Sequence, residues 1–88
     1  MNLKGGKING TGEFINVETE LNLNLVEGKT YQIQIQGKAV FCESLNPSSD
    51  EGFLWNSLKP FGYEKESAYL WIKVNKGSSV YVNIAEQK

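Results

Sequence analysis

Apolar and polar side chains alternate with period two through most of the chain. In LNLNLVEGKTYQIQIQG, residues 21–37, this places Leu21, Leu23, Leu25, Tyr31, Ile33 and Ile35 on one face and Asn22, Asn24, Gln32, Gln34 and Gln36 on the other. The break at Glu27-Gly28-Lys29 predicts a β-hairpin with a three-residue loop. Leu25 then faces Tyr31, Leu23 faces Ile33 and Leu21 faces Ile35, so every large apolar side chain lands on one side. The same register sets Asn24 opposite Gln32 and Asn22 opposite Gln34, a cross-strand amide ladder. Such amides bond to one another, to water, to a partner or to a sugar. A merely solvated face is the default for an antiparallel sheet.

The stretch SAYLWIKVNKGSSVYVNIA, residues 67–85, repeats the pattern with a different outer face. Leu70, Ile72, Val74, Val80, Val82 and Ile84 share one side, and Tyr69, Trp71, Lys73, Tyr81 and Asn83 the other. Asn75-Lys76-Gly77 predicts a three-residue loop, with Gly77 in the left-handed position that glycine takes without strain. That hairpin brings Trp71 opposite Tyr81, with Tyr69 alongside, in an aromatic stripe flanked by Lys73 and Asn83. The stripe has three readings: core of a sheet covered on both sides, subunit interface, or platform for stacking sugar rings. Trp55, in GFLWNSL, is a further candidate for the last two. A domain of 88 residues buries only about 60–65% of its unfolded surface, which favours the interface over the core.

Strands are predicted near residues 12–17, 20–26, 30–36, 38–44, 53–58, 67–75 and 79–85, with no window of sustained helical periodicity. Seven short strands give an all-β fold, a small antiparallel β-sandwich of jelly-roll or Ig-like type, with a compact barrel as the neighbouring solution. Residues 1–11, rich in Gly and Asn, read as a flexible or partner-docked N-terminal arm, and 12–88 as the single sandwich domain. The segments 45–52 and 59–66 hold both prolines and read as loops.

Composition then removes whole classes of function. Nine lysines face nine glutamates and one aspartate, with no arginine and no histidine. Without arginine there is no bidentate fork for phosphates or base edges, so no nucleic-acid partner is expected. Without histidine there is no group poised near neutral pH and none of the commonest metal ligand. Glu64 and Glu66, and Asp50 with Glu51, sit in polar loops where nothing raises a carboxyl pKa. The cluster Ser48-Ser49-Asp50-Glu51 lacks the regular ligand spacing of a calcium loop. The expectation is no catalytic residue, no metal, no cofactor and no enzymatic activity. Cys42, the only cysteine, reads as a small buried residue in AVFCES. No run approaches the ~20 apolar residues that span a membrane, and MNLKGGKINGTGEF lacks the apolar centre of a secretory signal. The expected protein is soluble, with no signal peptide and no membrane partner. Asn9-Gly10-Thr11 matches a glycosylation sequon and reads as a turn.

The order GEFINV, LNLNLVEGKTYQIQIQG, a loop with Pro47 and Gly52-Phe53, YLWIKV and VYVNIA resembles short β-rich structural proteins of tailed bacteriophages, of the capsid-decoration, head-fibre or tail-associated kinds. The resemblance spans residues 12–86 and consists of strand patterns, so it carries over no site. It implies a virion component, assembled in the host cytoplasm, that acts as a homo-oligomer and with other virion proteins. The alternative is a carbohydrate-binding module using the exposed stripe. The candidate partner- or glycan-binding residues are Tyr69, Trp71, Tyr81, Asn83, Trp55, Gln32 and Gln34.

Overall fold

The computed structural model describes residues 3–48, 52–56 and 59–87. The alternating segments form eight strands and one helical turn: β1 (Leu3–Asn9), β2 (Phe14–Asn16), α1 (Val17–Glu20), β3 (Thr30–Gln36), β4 (Ala39–Ser44), β5 (Phe53–Trp55), β6 (Phe61–Glu64), β7 (Tyr69–Lys73) and β8 (Ser79–Gln87). They make two antiparallel sheets, A in the order β1-β8-β3-β6 and B in the order β2-β7-β4-β5. The predicted all-β sandwich is therefore what the chain forms. Strand pairs β1–β8, β2–β7, β3–β6 and β4–β5 nest inside one another. The chain is thus one long hairpin, with its tip between β4 and β5, rolled so that successive parts fall alternately in the two sheets. This strand order is that of the eight-stranded jelly roll.

The core is the space between the two inner faces. Sheet A contributes Ile8, Ile33, Ile35, Val80, Val82 and Ile84, sheet B contributes Phe41, Leu70 and Ile72, and α1 adds Val17, all buried. Phe41 anchors one side of this layer, with ring centroids 5.1 Å from Phe61 and 6.1 Å from Phe53. Among the described residues no helix is long and apolar enough to cross a membrane.

Neither predicted local hairpin forms. β3 pairs with β8 and β6 rather than with residues 20–26, and β7 pairs with β2 and β4 rather than with β8. A tight turn does form at each break, but over 26–29 and 75–78 with two central residues in place of the expected three-residue loops: Lys29 N–H donates to the Val26 carbonyl at 3.1 Å and Ser78 N–H to the Asn75 carbonyl at 3.0 Å. Gly28 and Gly77 are both left-handed, with φ of 89° and 88°. Each turn nevertheless carries the chain away from its preceding segment, and the second passes from one sheet to the other.

Residues 20–26 are not a strand, because the preceding segment starts a helix. The Asn16 side chain accepts from the N–H groups of Glu18 and Thr19 at 3.0 and 3.3 Å, capping α1. Leu23 N–H donates to the Glu18 carbonyl at 2.8 Å, and Asn22 takes a φ of 55°. Leu25 N–H then donates to Glu18 Oε1 at 3.1 Å and Val26 N–H to the Tyr31 hydroxyl at 2.8 Å. These backbone groups are satisfied without a ladder, while Leu21, Leu23 and Leu25 still point to the core.

Two further expectations are corrected. The segment read as an arm supplies β1, whose residues 3–9 pair in unbroken register with 85–79 of β8. Its glycines serve close packing, since a Cβ on Gly6 would lie 2.9 Å from Leu21 Cδ2. At Gly10 a Cβ would fall on the carbonyl oxygen of Asn75, so the chain must be bare there to cross that turn. The segment 59–66, read as a loop, contains β6, with Phe61 half-buried and Tyr63 buried on the inner side.

Tyr63 carries a buried hydroxyl that makes no well-formed hydrogen bond among the described residues, with the Glu43 carboxylate near enough to interact with it only weakly. Burial, and next the nearby Glu43 carboxylate, raise its pKa above the ordinary phenol value. In the unfolded chain the phenol ionises near pH ~10. The raised folded pKa means that Tyr63's contribution is intact below that pH and is lost as pH rises above it. Tyr63→Phe removes a buried hydroxyl whose contact with Glu43 falls short of a good hydrogen bond, so its urea-unfolding free energy at pH 7 is expected to equal or exceed wild type. Its advantage is expected to grow at pH 11; a loss of more than about 1 kcal/mol at pH 7 would show that the hydroxyl is bonded.

Candidate functional site

The two outer faces differ in chemistry. Because Ile33, Ile35, Val80, Val82 and Ile84 point inward, the outer face of sheet A carries Gln32, Gln34, Gln36, Tyr81 and Asn83, with Gly5 and Gly62 beside them. Asn83 lies opposite Gln34 and Tyr81 opposite Gln36. Gln32 Nε2 donates to Gln87 Oε1 at 2.7 Å. The amide ladder predicted between residues 22–24 and 32–34 is therefore absent in that form, and amide pairing runs between β3 and β8 instead.

Sheet B turns outward a face with far more apolar surface. Its cross-strand rows are Phe14–Lys73–Val40–Leu54 and Asn16–Trp71–Cys42, with Tyr69 opposite Ser44. Lys73 is the only charged side chain in these rows, and its Nζ lies 4.8 Å from the centroid of the Phe14 ring. Trp71 is half-buried, with its indole N–H donating to the Ser44 carbonyl at 2.8 Å. Cys42, across from Trp71, is buried as expected. Above Trp71 and Lys73 runs an open groove of about 300 Å³, walled by Glu13 and Phe14 on one side and Asn46 and Pro47 on the other. Glu13 is held in place by its N–H, which donates to Thr11 Oγ1 at 3.2 Å. Asn46 is held by its N–H, which donates to Ser44 Oγ at 3.1 Å.

The predicted aromatic stripe does not assemble. Trp71 lies on the outer face of sheet B and Tyr81 on that of sheet A, because β7 and β8 belong to different sheets. Tyr81 is 54% exposed, which rules out the core reading for it. Tyr69 is exposed, and Lys65 Nζ sits 4.9 Å from its ring centroid. Trp55 points inward at the end of β5. Its ring lies 5.0 Å from that of Phe61, and its indole N–H donates to the Lys59 carbonyl at 3.2 Å, so it closes the rim of the core. The candidates thus divide into Gln32, Gln34, Tyr81 and Asn83 on sheet A, Tyr69 and Trp71 on sheet B, and Trp55 at the rim.

Sequence reasoning missed Glu13, Phe14, Asn46 and Pro47. β2 is only three residues long, too short for alternation to mark Phe14 as outward. The loop after β4 meets β2 only through the rolled topology. Ser49, Asp50 and Glu51 lie outside the described residues.

Comparison with protein-family models, with curated proteins and with solved structures finds no match for this chain.

Proposed function

We propose that the protein is a non-enzymatic assembly component, a structural module of the tailed-phage kind, which associates with a second copy of itself through the free edge of β5. The observation that carries this reading is the character of that edge. β5 is the outermost strand of sheet B and consists of Phe53, Leu54 and Trp55. Natural edges are usually blunted by lysine, proline or an adjoining element. β1 carries lysines at 4 and 7, β6 follows Pro60, and β2 runs directly into α1. Among the described residues β5 has none of these, and only its length of three residues limits pairing there.

The surface around it is apolar as well. Of the six large hydrophobic side chains exposed among the described residues, Leu45, Phe53 and Leu54 cluster at the β4–β5 hairpin. With no charge on β5 itself, a two-fold antiparallel contact centred on Leu54 sets Phe53 against Trp55 of the other copy without like-charge repulsion. Two four-stranded sheets then become one continuous sheet of eight. The virion setting is supported by the sequence resemblance, and by analogy with viral capsid domains that use the same strand order.

Sedimentation at micromolar concentration is expected to give the mass of a dimer or a larger closed assembly. Leu54→Lys places a charge on the edge at a position 57% exposed. It is expected to leave folding stability within about 0.5 kcal/mol while raising the dissociation constant at least about tenfold. A wild-type monomer, or a Leu54→Lys protein of unchanged assembled mass, would rule out β5-mediated assembly.

A further inference from the structure

The geometry points to the groove above Trp71 as a binding site for a neutral saccharide chain, a property that goes beyond assembly and stands without it. A sugar ring presents a weakly polarised C–H face and a rim of hydroxyls, each of which both donates and accepts. It is recognised by a flat aromatic surface that does not move, bordered by groups of both hydrogen-bonding senses. Trp71 meets the first requirement. Its indole is fixed by the 2.8 Å bond to the Ser44 carbonyl, which uses its one donor and leaves the ring to act as an apolar plate. Its half-buried state keeps part of that plate open to the groove.

The rim meets the second requirement. Glu13 supplies an acceptor and Asn46 one group of each sense, and both line the groove beside the Lys73 ammonium. The charges of Glu13 and Lys73 offset one another, which disfavours strongly anionic or cationic ligands and leaves polar uncharged ones. Phe14 and Pro47 form apolar walls on opposite sides, so a ring lying on Trp71 is held between them. A volume of about 300 Å³ lies at the small end of ligand sites. The groove is also open at the surface, which suits one or two units of a longer chain rather than an enclosed small molecule. The floor of the site lies on β7, which is separated from the β5 edge by β4, while one wall, Asn46 and Pro47, belongs to the connection between β4 and β5.

The test is titration of the intact protein with maltotetraose, cellotetraose and the tetramer of N-acetylglucosamine, read from the two indole N–H resonances in nitrogen-15 correlation spectra. At least one tetrasaccharide is expected to shift the Trp71 signal at millimolar concentration and to leave that of Trp55, the internal control, in place. Asn46→Ala and Glu13→Ala alter only rim side chains, and each is expected to weaken binding by about threefold to tenfold. Trp71→Phe is expected to bind more weakly than wild type and more tightly than Trp71→Ala. The proposal is overturned if none of the three sugars shifts Trp71 at about 10 mM. It is equally overturned if the rim variants bind as well as wild type, or if Trp71 responds only to a proline-rich peptide, which would make the groove a peptide site. Sedimentation of the same samples keeps this outcome separate from that of β5 assembly.

Discussion

Phe41→Ala is expected to lower the unfolding free energy by about 3–5 kcal/mol, the usual range for removing a fully buried phenylalanine. Phe41 is the largest fully buried side chain among the described residues. It stands opposite Ile72 on one side and Phe53 on the other within sheet B, and its ring meets Phe61 of sheet A edge-on. The truncation therefore opens a hole between the sheets where the β5 and β6 edges meet. A domain of this size has a total stability of only about 4–13 kcal/mol, so the variant is expected to unfold at markedly lower urea concentration. Phe41→Leu, which retains most of the volume, is expected to cost less than half as much. If Phe41→Ala lost under about 1.5 kcal/mol, the aromatic cluster would not be a packed part of the core.

That cluster also shows which parts of the fold the sequence makes legible. Period-two alternation reports which face a residue turns to the core. Leu70, Ile72, Val80, Val82, Ile33 and Ile35 all point inward, as their spacing requires. Alternation says nothing about which strand lies alongside. Sequential strands are neighbours more often than not, and that general tendency leads to two local hairpins. In a jelly roll only β4 and β5, at the tip of the long hairpin, are both consecutive and paired. Every other partner is set by the roll. The error passes directly to the site, because placing Trp71 beside Tyr81 depends on which strand pairs with which and not on which way each side chain faces.

The remaining misses have local causes. Asn16 followed by Val-Glu-Thr-Glu is a legible helix start, with a capping residue and acidic side chains in the first turn. Alternation through Leu21, Leu23 and Leu25 is the longer pattern in this stretch and points to a strand instead. In LKGGKIN the two glycines break the apolar pattern, although Gly6 is small because Leu21 occupies the space its side chain would need. A glycine demanded by a neighbour and a glycine in a flexible arm look the same in sequence.

Lys65→Met is expected to cost about 3–5 kcal/mol, comparable to the core truncation although it leaves the apolar core intact. Lys65 is the one charged residue buried among the described residues, at 6% exposure. Its Nζ donates to Glu18 Oε2 at 3.0 Å and to the Ala68 carbonyl at 2.6 Å. Its backbone is tied to the turn before β3, accepting from Gly28 N–H at 2.8 Å and donating to the Lys29 carbonyl at 2.9 Å. One residue thus joins α1, the connection from β6 to β7 and the turn at residues 26–29. Glu18 also accepts from Leu25 N–H, so the pair fixes the irregular stretch that replaces the expected strand. Methionine fills similar volume but leaves a nearly buried carboxylate and a carbonyl without their cation. Lys65→Met combined with Glu18→Gln removes the stranded charge and keeps an acceptor for Leu25 N–H. The double variant is therefore expected to recover at least about 1 kcal/mol relative to Lys65→Met. Because both groups are shielded from solvent, the loss is expected to change little between low and high salt in urea unfolding. A penalty below about 1 kcal/mol that disappears in high salt would mean that the pair behaves as a surface bridge and does not hold the three segments together.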